Sequence, residues 1–284
     1  MPRTEKIFTD NPITSSVNIS TGAAPTPYLV QDGEAILIFG SINSSLLRPE
    51  LKNESVHPVH TVEGRAAAGF ILADFRQASM GPHSELQFFV LASHQSGESI
   101  GAAPFALPIA MGTRPDWGTL CMRLWNDESS VLAYNNEYLG LNAEAAMFRH
   151  FDGDDPENIP FNVESADGKP IISGHVNRQQ STAPGVMWEM LKLVGFVRFL
   201  KLGMAPYASG HVINKVSSVM STNRKAQIFT ASDKNIVRQW AGATDSLKIS
   251  DPMIKELDFD PVSVQHLWPF RFVYRHPDDK QERK

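Results

Sequence analysis

Two histidines, His57 and His60, stand at a spacing that can present both rings to one metal ion. Pro58 lies between them, and no cluster of acidic residues follows closely in the sequence. A protein zinc site needs three or four ligands of the His, Cys, Asp or Glu type. The sequence therefore predicts a loop at this point and no metal site.

The sequence also lacks the loops that cradle phosphates, since it contains neither G-x-G-x-x-G nor G-x-x-x-x-G-K-[ST]. We therefore expect no nucleotide cofactor, and no other cofactor is indicated. Cys121 is the single cysteine, so neither an internal disulfide nor a thiolate metal site can form. Its position in the apolar run from 119 to 122 predicts a small buried side chain.

Composition indicates a globular chain with a large core. Of the 284 residues, 42% are hydrophobic and 20% are charged, and the formal net charge is -5. Because Lys and Arg are scattered and outnumbered by acids, nucleic acid is not expected as a partner. The first 20 residues contain no apolar stretch typical of a secretory signal, so we expect a cytoplasmic protein.

The elements that must position any site are mostly strands. Short apolar runs bounded by Gly, Pro, Asn and Asp predict them, and Asp167-Gly168 predicts a hairpin between two of them. The predicted strands are 35–39, 66–75, 86–93, 119–124, 131–134, 161–163, 171–176, 226–231, 236–241, 247–249, 262–267 and 270–274. We expect an N-terminal arm over 1–30 and a single domain over 31–284, with an insertion at about 178–225.

Two segments predict helices. The alanine-rich run 139–148 has good helix propensity. The stretch 184–204 is the most apolar of the chain and predicts a mostly buried helix, with a cover over a ligand pocket or a helix on a membrane surface as the alternatives. The charges of Glu189, Lys192, Arg198 and Lys201 argue against a transmembrane span.

Three separated segments resemble acetoacetate decarboxylase and its relatives. The first runs from 65 to 75 and continues in Gly81-Pro82-His83-Ser84-Glu85-Leu86, which places Glu85 where the family carries an active-site glutamate. The second is 135–145, and the third covers 247–261 and 272–274. The resemblance spans about 33 to 275. It implies a β-rich α+β fold of the acetoacetate decarboxylase-like double-sheet or β-cone type, with an inserted helical segment.

The second segment departs from the family at the residues that carry its chemistry. Where relatives have two lysines, this chain has Ala143 and Glu144. Neither side chain can attack a ketone to form an imine, which is the nucleophilic step that the family's lysine performs. Three lysines in the insertion, Lys192, Lys201 and Lys215, are the remaining candidates for that role.

The resemblance implies a cavity with proton donors and acceptors around it. A carboxyl group in an apolar cavity has a raised pKa and can act as a general acid or base near neutral pH. The candidate catalytic residues are Glu85, Glu144, Arg76 and His83. The candidate substrate-binding residues are Tyr134, Asn136, Glu137 and Tyr138.

These observations predict a cofactor-free enzyme that acts by non-covalent acid and base catalysis on an apolar, polyketide-like carbonyl compound of secondary metabolism. Such catalysis covers reactions of the lyase, isomerase or cyclase type. Two alternatives stay open: a binding protein that retains the cavity without chemistry, and a decarboxylase that uses an unusual route. The resemblance also implies a homo-oligomer.

Overall fold

Long strands dominate the structure because short apolar runs bounded by turn residues recur along the chain, and the longest strands are buried on both faces. The computed structural model describes residues 5–100, 114–151, 155, 157–197, 200 and 204–279. Seven strands form a barrel: β3 (Tyr28–Ile42), β5 (Ala66–Ala78), β6 (His83–Ser93), β7 (Trp117–Asn126), β11 (Ala208–Ile213), β12 (Lys225–Gln239) and β14 (Asp260–Arg275).

The barrel closes through the pairing of β6 with β7. Around the barrel the order is β7-β11-β12-β14-β3-β5-β6, and β6 then pairs antiparallel with β7. The β7–β11 pair is parallel, and the other pairs are antiparallel. Closure leaves these strands no free hydrogen-bonding edge and separates an interior from an outer face.

Alternation along each strand decides which side chains enter the barrel. On β6, Phe89 and Leu91 belong to the interior cluster, whereas Leu86, Phe88 and Val90 belong to the cluster on the outer face. Odd-numbered residues of β6 therefore point inward. Since the same parity holds from the start of this strand, its one glutamate, at position 85, also faces the interior.

A second sheet covers part of the outer face. Its strands, in the order β8-β9-β10-β13, are β8 (Glu144–His150), β9 (Asn158–Ser165), β10 (Pro170–Asn177) and β13 (Ser246–Ile249). Phe161, Val163 and Ile172 from this sheet pack in one cluster with Phe70 and Phe88 from the barrel. The β-rich double-sheet architecture expected from the sequence is therefore confirmed, with one of the two sheets closed into a barrel.

Short elements complete the fold. They are α1 (Lys6–Asp10), β1 (Ser15–Ile19), β2 (Gly22–Thr26), α2 (Ser44–Leu47), β4 (His57–Pro58), α3 (Ser129–Tyr134), a π-helix (Asn135–Leu139), α4 (Pro184–Val194) and α5 (Pro252–Glu256). Strands β1 and β2 form an antiparallel hairpin. Residues 5–26 of the expected N-terminal arm are thus built into α1 and this hairpin.

Eleven of the twelve predicted strands are present. In two cases, two predicted strands are parts of one longer strand. The runs 226–231 and 236–241 share β12, which ends at Gln239, and 262–267 and 270–274 both lie in β14. The hairpin at Asp167-Gly168 is confirmed, because β9 and β10 pair antiparallel around it. Cys121 is fully buried, as predicted.

Two predictions around residue 140 are wrong. The run 131–134 is helical rather than extended, since Glu128 caps α3 by accepting a hydrogen bond from the Ser130 N–H at 3.3 Å. The run 139–148 is not a helix: Gly140 adopts a left-handed φ of 68° and ends the π-helix, and β8 follows from Glu144. Pairing of β8 with β9 overrides the helix propensity of the alanines.

The helix predicted within 184–204 is present as α4, but it is not buried. Met187 is 41% exposed and Trp188 is 56% exposed, and Phe196 beyond the helix is also exposed. The prediction of a mostly buried helix is therefore wrong for the side chains that the structure describes. Among the described helices, none combines the length and the apolar character needed to cross a membrane.

A buried ion pair joins the barrel to the second sheet. Both guanidinium nitrogens of Arg238, near the end of β12, donate to the two carboxylate oxygens of Asp245 at 2.6 Å. The same carboxylate accepts hydrogen bonds from the backbone N–H groups of Asn177, at the end of β10, and Ala241. Because Asp245 is 5% exposed, its charge depends on these partners for stabilisation.

We expect Asp245→Ala to lower the free energy of unfolding by about 3–5 kcal/mol, because it leaves the Arg238 charge buried and unpaired. Urea unfolding followed by circular dichroism measures this change. The matched control is Asp233→Ala, which removes the exposed partner of Arg271 and should cost less than about 1 kcal/mol. Equal losses in the two variants would contradict the structural role given to Asp245.

Candidate active site

One cavity lies in the barrel interior, with a volume of about 60 Å³. Its wall is largely apolar, with polar groups at a few points. The lining residues are Tyr28, Phe75, Met80, His83, Glu85, Gln87, Leu124, Val131, Tyr134, Asn135, Leu139, Leu141, Val212, Phe272 and Tyr274. This combination of an apolar wall and a few polar groups is typical of a small-molecule site.

Glu85 is the one carboxylic acid among the described lining residues. Its side chain enters the cavity because the inward-facing side chains of β6 include positions 83, 85 and 87. Burial raises the pKa of Glu85 from 4.5 to about 7, against the effect of a hydrogen bond donated by the Asn126 side-chain amide at 3.2 Å. Asn126 is held in turn by Asn135, whose amide donates to its carbonyl oxygen at 2.8 Å. The carboxyl group is therefore fixed in place and close to half ionised at neutral pH.

Tyr28 and His83 form a hydrogen-bonded pair beside Glu85. The Nδ1 atom of His83 lies 2.9 Å from the Gly81 carbonyl oxygen, which can only accept, so this nitrogen carries a proton. Burial lowers the pKa of His83, and the Tyr28 hydroxyl, 2.9 Å from Nε2, then donates to it. Burial, followed by the nearby Glu85 charge, raises the pKa of Tyr28 well above its ordinary value. Both groups are therefore neutral near pH 7.

Tyr134 contributes a hydroxyl that has no hydrogen-bond partner among the residues that the structure describes, although the atom is buried. It lies in the last turn of α3, one residue before the π-helix, an irregularity that often accompanies functional sites. Burial and then the Asp279 charge raise the pKa of Tyr134, so its proton stays on the oxygen. A buried O–H donor without a partner costs stability, and a ligand oxygen in the cavity would supply the missing bond.

Of the eight candidate residues, the structure brings Glu85, His83 and Tyr134 to the cavity. Tyr138 lies behind the wall, with its ring centroid 5.3 Å from that of Tyr134. Arg76 lies elsewhere, because Phe75 on the same strand points inward and the next residue points outward. Its guanidinium donates to Glu34 at 2.6 Å and to Asp74 at 3.1 Å.

The other three candidates also lie outside the described lining. Glu144 is 51% exposed at the start of β8 and forms an ion pair with Arg123 at 2.8 Å. The Asn136 side-chain amide donates a hydrogen bond to the Ala143 carbonyl oxygen, and its Oδ1 atom accepts one from the Ala143 N–H. Glu137 accepts hydrogen bonds from the backbone N–H and the hydroxyl of Ser20, which ties the β1–β2 hairpin to the π-helix.

Sequence reasoning missed four polar residues of the cavity: Tyr28, Gln87, Asn135 and Tyr274. Gln87 could have been found, because it lies two residues after Glu85 on a predicted strand and therefore on the same face. Tyr28 and Tyr274 are paired across β3 and β14, and this register is visible only in the folded chain.

The lysines proposed as substitutes for the family's nucleophile lie in different surroundings. Lys192 is on the exposed face of α4 and bonds Glu189 at 2.9 Å. Lys215 is not among the lining residues, although its charge acts on Cys121, whose pKa burial raises to about 12. Lys201 lies outside the described residues. Ala143, where the resemblance in the sequence would place one of the family's lysines, belongs to the interior cluster together with Tyr28 and Tyr134.

One Gly-x-Ser-x-Gly pattern, from Gly97 to Gly101, occurs in the sequence and marks the nucleophile in some hydrolases. Ser99 forms an isolated β-bridge with His60, and the next N–H, of Ile100, donates to the His60 carbonyl oxygen at 2.8 Å. A nucleophile elbow instead holds its serine in a strained turn between a strand and a helix. We therefore assign Ser99 no catalytic role. In the described part of the chain, no three His, Cys, Asp or Glu side chains are grouped so that they could hold a metal ion.

The sequence matches no protein-family model and no curated protein. Solved structures do match. Acetoacetate decarboxylase from Legionella pneumophila subsp. pneumophila str. Philadelphia 1 is 14% identical, with a TM-score of 0.58 over 95% of this chain and 93% of that chain. The enduracididine biosynthesis enzyme MppR complexed with pyruvate is 12% identical, with a TM-score of 0.52 over 93% of this chain and 97% of that chain.

A further acetoacetate decarboxylase structure is 11% identical, with a TM-score of 0.51 over 88% of this chain and 86% of that chain. At identities this low, the likeness shows the fold. This chain has the acetoacetate decarboxylase-like fold over nearly its whole length, which confirms the resemblance noted in the sequence.

Because its pKa is raised in the folded protein, Glu85 should make the free energy of unfolding decrease as the pH rises. Between pH 4.5 and about 7 the unfolded chain ionises this carboxyl while the folded protein keeps it protonated. The folded state then binds more protons, so stability falls as pH rises, by about 3 kcal/mol in total. Urea unfolding at about pH 5 and about pH 8 should show this loss in the wild type and not in Glu85→Gln. Equal pH dependence in both proteins would contradict the raised pKa.

Proposed function

Because the chain has the acetoacetate decarboxylase-like fold, we propose that it is an enzyme that moves a proton next to the carbonyl group of a small, uncharged compound bound in the barrel cavity. The observation that carries this proposal is the Glu85 carboxyl group, which is half-buried in the wall of an apolar cavity and has a pKa raised to about 7 by loss of hydration. An acid with this pKa is present in both protonation states at neutral pH, so it can accept a proton and return it.

In the proposed step, the ionised form of Glu85 removes a proton from the carbon beside the carbonyl group. The electron pair left on that carbon moves into an enolate, whose negative charge lies mainly on oxygen. The Tyr134 hydroxyl, buried and without a partner, is suited to donate a hydrogen bond to this oxygen. Protonated Glu85 then returns the proton to the same carbon, which gives exchange. In a substrate with an adjacent carbon–carbon double bond, the electron pair extends to the far carbon of that bond, and protonation there moves the double bond, which gives isomerisation.

The electrostatics of the wall favour an uncharged substrate. The described lining residues include no Lys or Arg, and burial keeps His83 and the two tyrosines Tyr28 and Tyr134 neutral near pH 7. A carboxylate in this cavity would lose its hydration without gaining a counter-ion, and Glu85 would repel it. The volume of about 60 Å³ also favours a compound of few atoms, or the carbonyl end of a longer one.

A covalent imine is not part of the proposed step. At the two positions where the family's lysines fall by resemblance, this chain has Ala143 and Glu144, and alanine and glutamate cannot form an imine. The MppR structure complexed with pyruvate supports the use of this fold for small carbonyl compounds. Because MppR is an enduracididine biosynthesis enzyme, the same likeness supports a role for this chain in secondary metabolism.

We expect the enzyme to exchange the α-hydrogens of acetylacetone, an uncharged diketone, for deuterium in D2O faster than buffer does. Glu85→Gln should lower the exchange rate, followed by ¹H NMR, by about 100-fold or more. The wild-type rate should rise with pH through about 7 as Glu85 ionises, and this rise should be lost in the variant. Glu256→Gln, which changes a surface glutamate on α5, is the matched control.

Two outcomes would overturn the enzyme proposal. Full activity of the Glu85→Gln variant would exclude Glu85 as the base. The Glu144→Gln variant, assayed in parallel, would then show whether Glu144 acts as the base instead. If acetylacetone raises the melting temperature but exchanges no faster than in buffer, the cavity is a binding site without this chemistry.

Trapping with sodium borohydride tests the covalent alternative. When the protein is incubated with acetylacetone or with acetoacetate and then reduced, we expect its mass to stay unchanged, because no imine forms. A gain in mass equal to the reduced ligand would contradict the non-covalent step, and peptide mapping would then identify the lysine, with Lys215 and Lys201 as the first to be checked. Acetoacetate decarboxylase treated in the same way is the positive control.

A further inference from the structure

A second concavity, of about 340 Å³, lies on the rim of the barrel and not in its interior. It is lined by Arg224, Lys225, Gln227, Arg275, His276, Pro277 and Asp279, and we call it the rim groove. On β12, Lys225 and Gln227 share a face with Phe229, and Gln227 pairs with Arg275 on β14. Phe229 packs with Ile7 of α1 in a cluster separate from the interior one, so this face is the outer one.

Two cations of the rim groove have only neutral partners among the described residues. The Lys225 ammonium donates to the Pro115 carbonyl oxygen at 3.1 Å. The Arg275 guanidinium donates to the Asn11 side-chain oxygen at 2.7 Å and lies over the Phe229 ring. Lys has three N–H donors and Arg has five, so each cation retains donors for another acceptor. Neither charge is neutralised by these partners.

The acids near the rim groove are already engaged. Asp278 pairs with Arg224 at 2.6 Å. Asp279 accepts hydrogen bonds from the Tyr138 hydroxyl at 2.6 Å and from the His276 backbone N–H at 2.8 Å. Because both partners of Asp279 are neutral donors, its negative charge is not cancelled by them. Three cations, Arg224, Lys225 and Arg275, therefore face two carboxylates, and the groove keeps a net charge of +1.

His276 adds a buried donor that has no partner. The residue is 3% exposed, and its Nδ1 atom accepts a hydrogen bond from the Asp278 N–H at 3.1 Å. The proton of the neutral ring is therefore on Nε2, and this buried atom has no hydrogen-bond partner in the structure. Burial lowers the pKa of His276, which keeps the ring in this neutral form.

We propose that the rim groove binds a small oxyanion, that is, a carboxylate or phosphate group. Lys225 and Arg275 would supply charge-assisted hydrogen bonds, and the groove is polar enough to solvate the remaining oxygens through Gln227. The groove is separate from the cavity, but close to it: the His276 ring lies 4.2 Å from the Tyr138 ring, which packs on Tyr134 in the cavity wall. The proposal holds whether or not the cavity is catalytic.

The test uses the full-length chain and two probes, inorganic phosphate and acetate, with sodium chloride at equal ionic strength as the reference. We expect at least one probe to raise the melting temperature above the chloride reference, with saturation. Isothermal titration calorimetry then gives its Kd. The ratio of the two affinities shows whether the groove prefers a phosphate or a carboxylate. No difference from chloride with either probe would overturn the proposal.

Two variants locate the binding. Lys225→Gln removes the charge, keeps a polar N–H donor on a slightly shorter side chain and should weaken binding about 10-fold. Gln227→Glu leaves every cation in place but adds a negative charge beside Arg275, and it should abolish binding if the anion sits in the groove. Lys255→Gln, on α5, is the matched control and should bind as the wild type does. Unchanged affinity in both groove variants would place the bound anion elsewhere and so reject the site.

Discussion

The pairing of β6 with β7 is the constraint on which the interior depends. Without this pairing, the seven strands would form an open sheet, and the face that carries Glu85 would be in contact with water. With it, the alternation of side chains sorts each strand into an inner and an outer set, and most of the inner apolar side chains are buried in one cluster around the cavity. The raised pKa of Glu85 and the neutrality of the tyrosines around it both follow from this enclosure.

Enclosure has a cost that the rest of the fold must offset. A glutamate with a pKa of about 7 and a tyrosine hydroxyl without a partner both destabilise the folded state near neutral pH. The two large apolar clusters, one inside the barrel and one between the barrel and the second sheet, supply the opposing free energy. The Arg238–Asp245 ion pair links the barrel to the second sheet. Neither residue is among the described residues of the cavity wall, and each charge is paired with the other.

The sequence predicted most of the strands because they depend on a short-range signal, the apolar runs bounded by turn residues. The expectation that Glu85 lines a cavity came instead from the resemblance to the family. The predictions from the sequence were wrong where pairing between distant segments determines the local structure. The alanines at 143, 145 and 146 favour a helix locally, yet β8 finds partners in β7 and β9. With that segment extended, Glu144 turns outward to Arg123. Arg76 was expected near the cavity from the resemblance, but adjacent residues of a strand face opposite sides, so Phe75 points inward and Arg76 does not. Glu34, distant in sequence, supplies its partner. Tyr28 and Tyr274 meet only through the register of β3 and β14.

The same sorting keeps cations away from Glu85 among the described residues of the cavity wall. A lysine ammonium in the cavity would stabilise the Glu85 carboxylate and lower its pKa, which would remove the acid form at neutral pH. Ala143, in the interior cluster, brings no charge, whereas Lys225 and Arg275 lie on the outer face, where water screens them from the interior. With no Lys or Arg among the described lining residues, Glu85 has no cation to neutralise in the cavity and remains free to carry a proton.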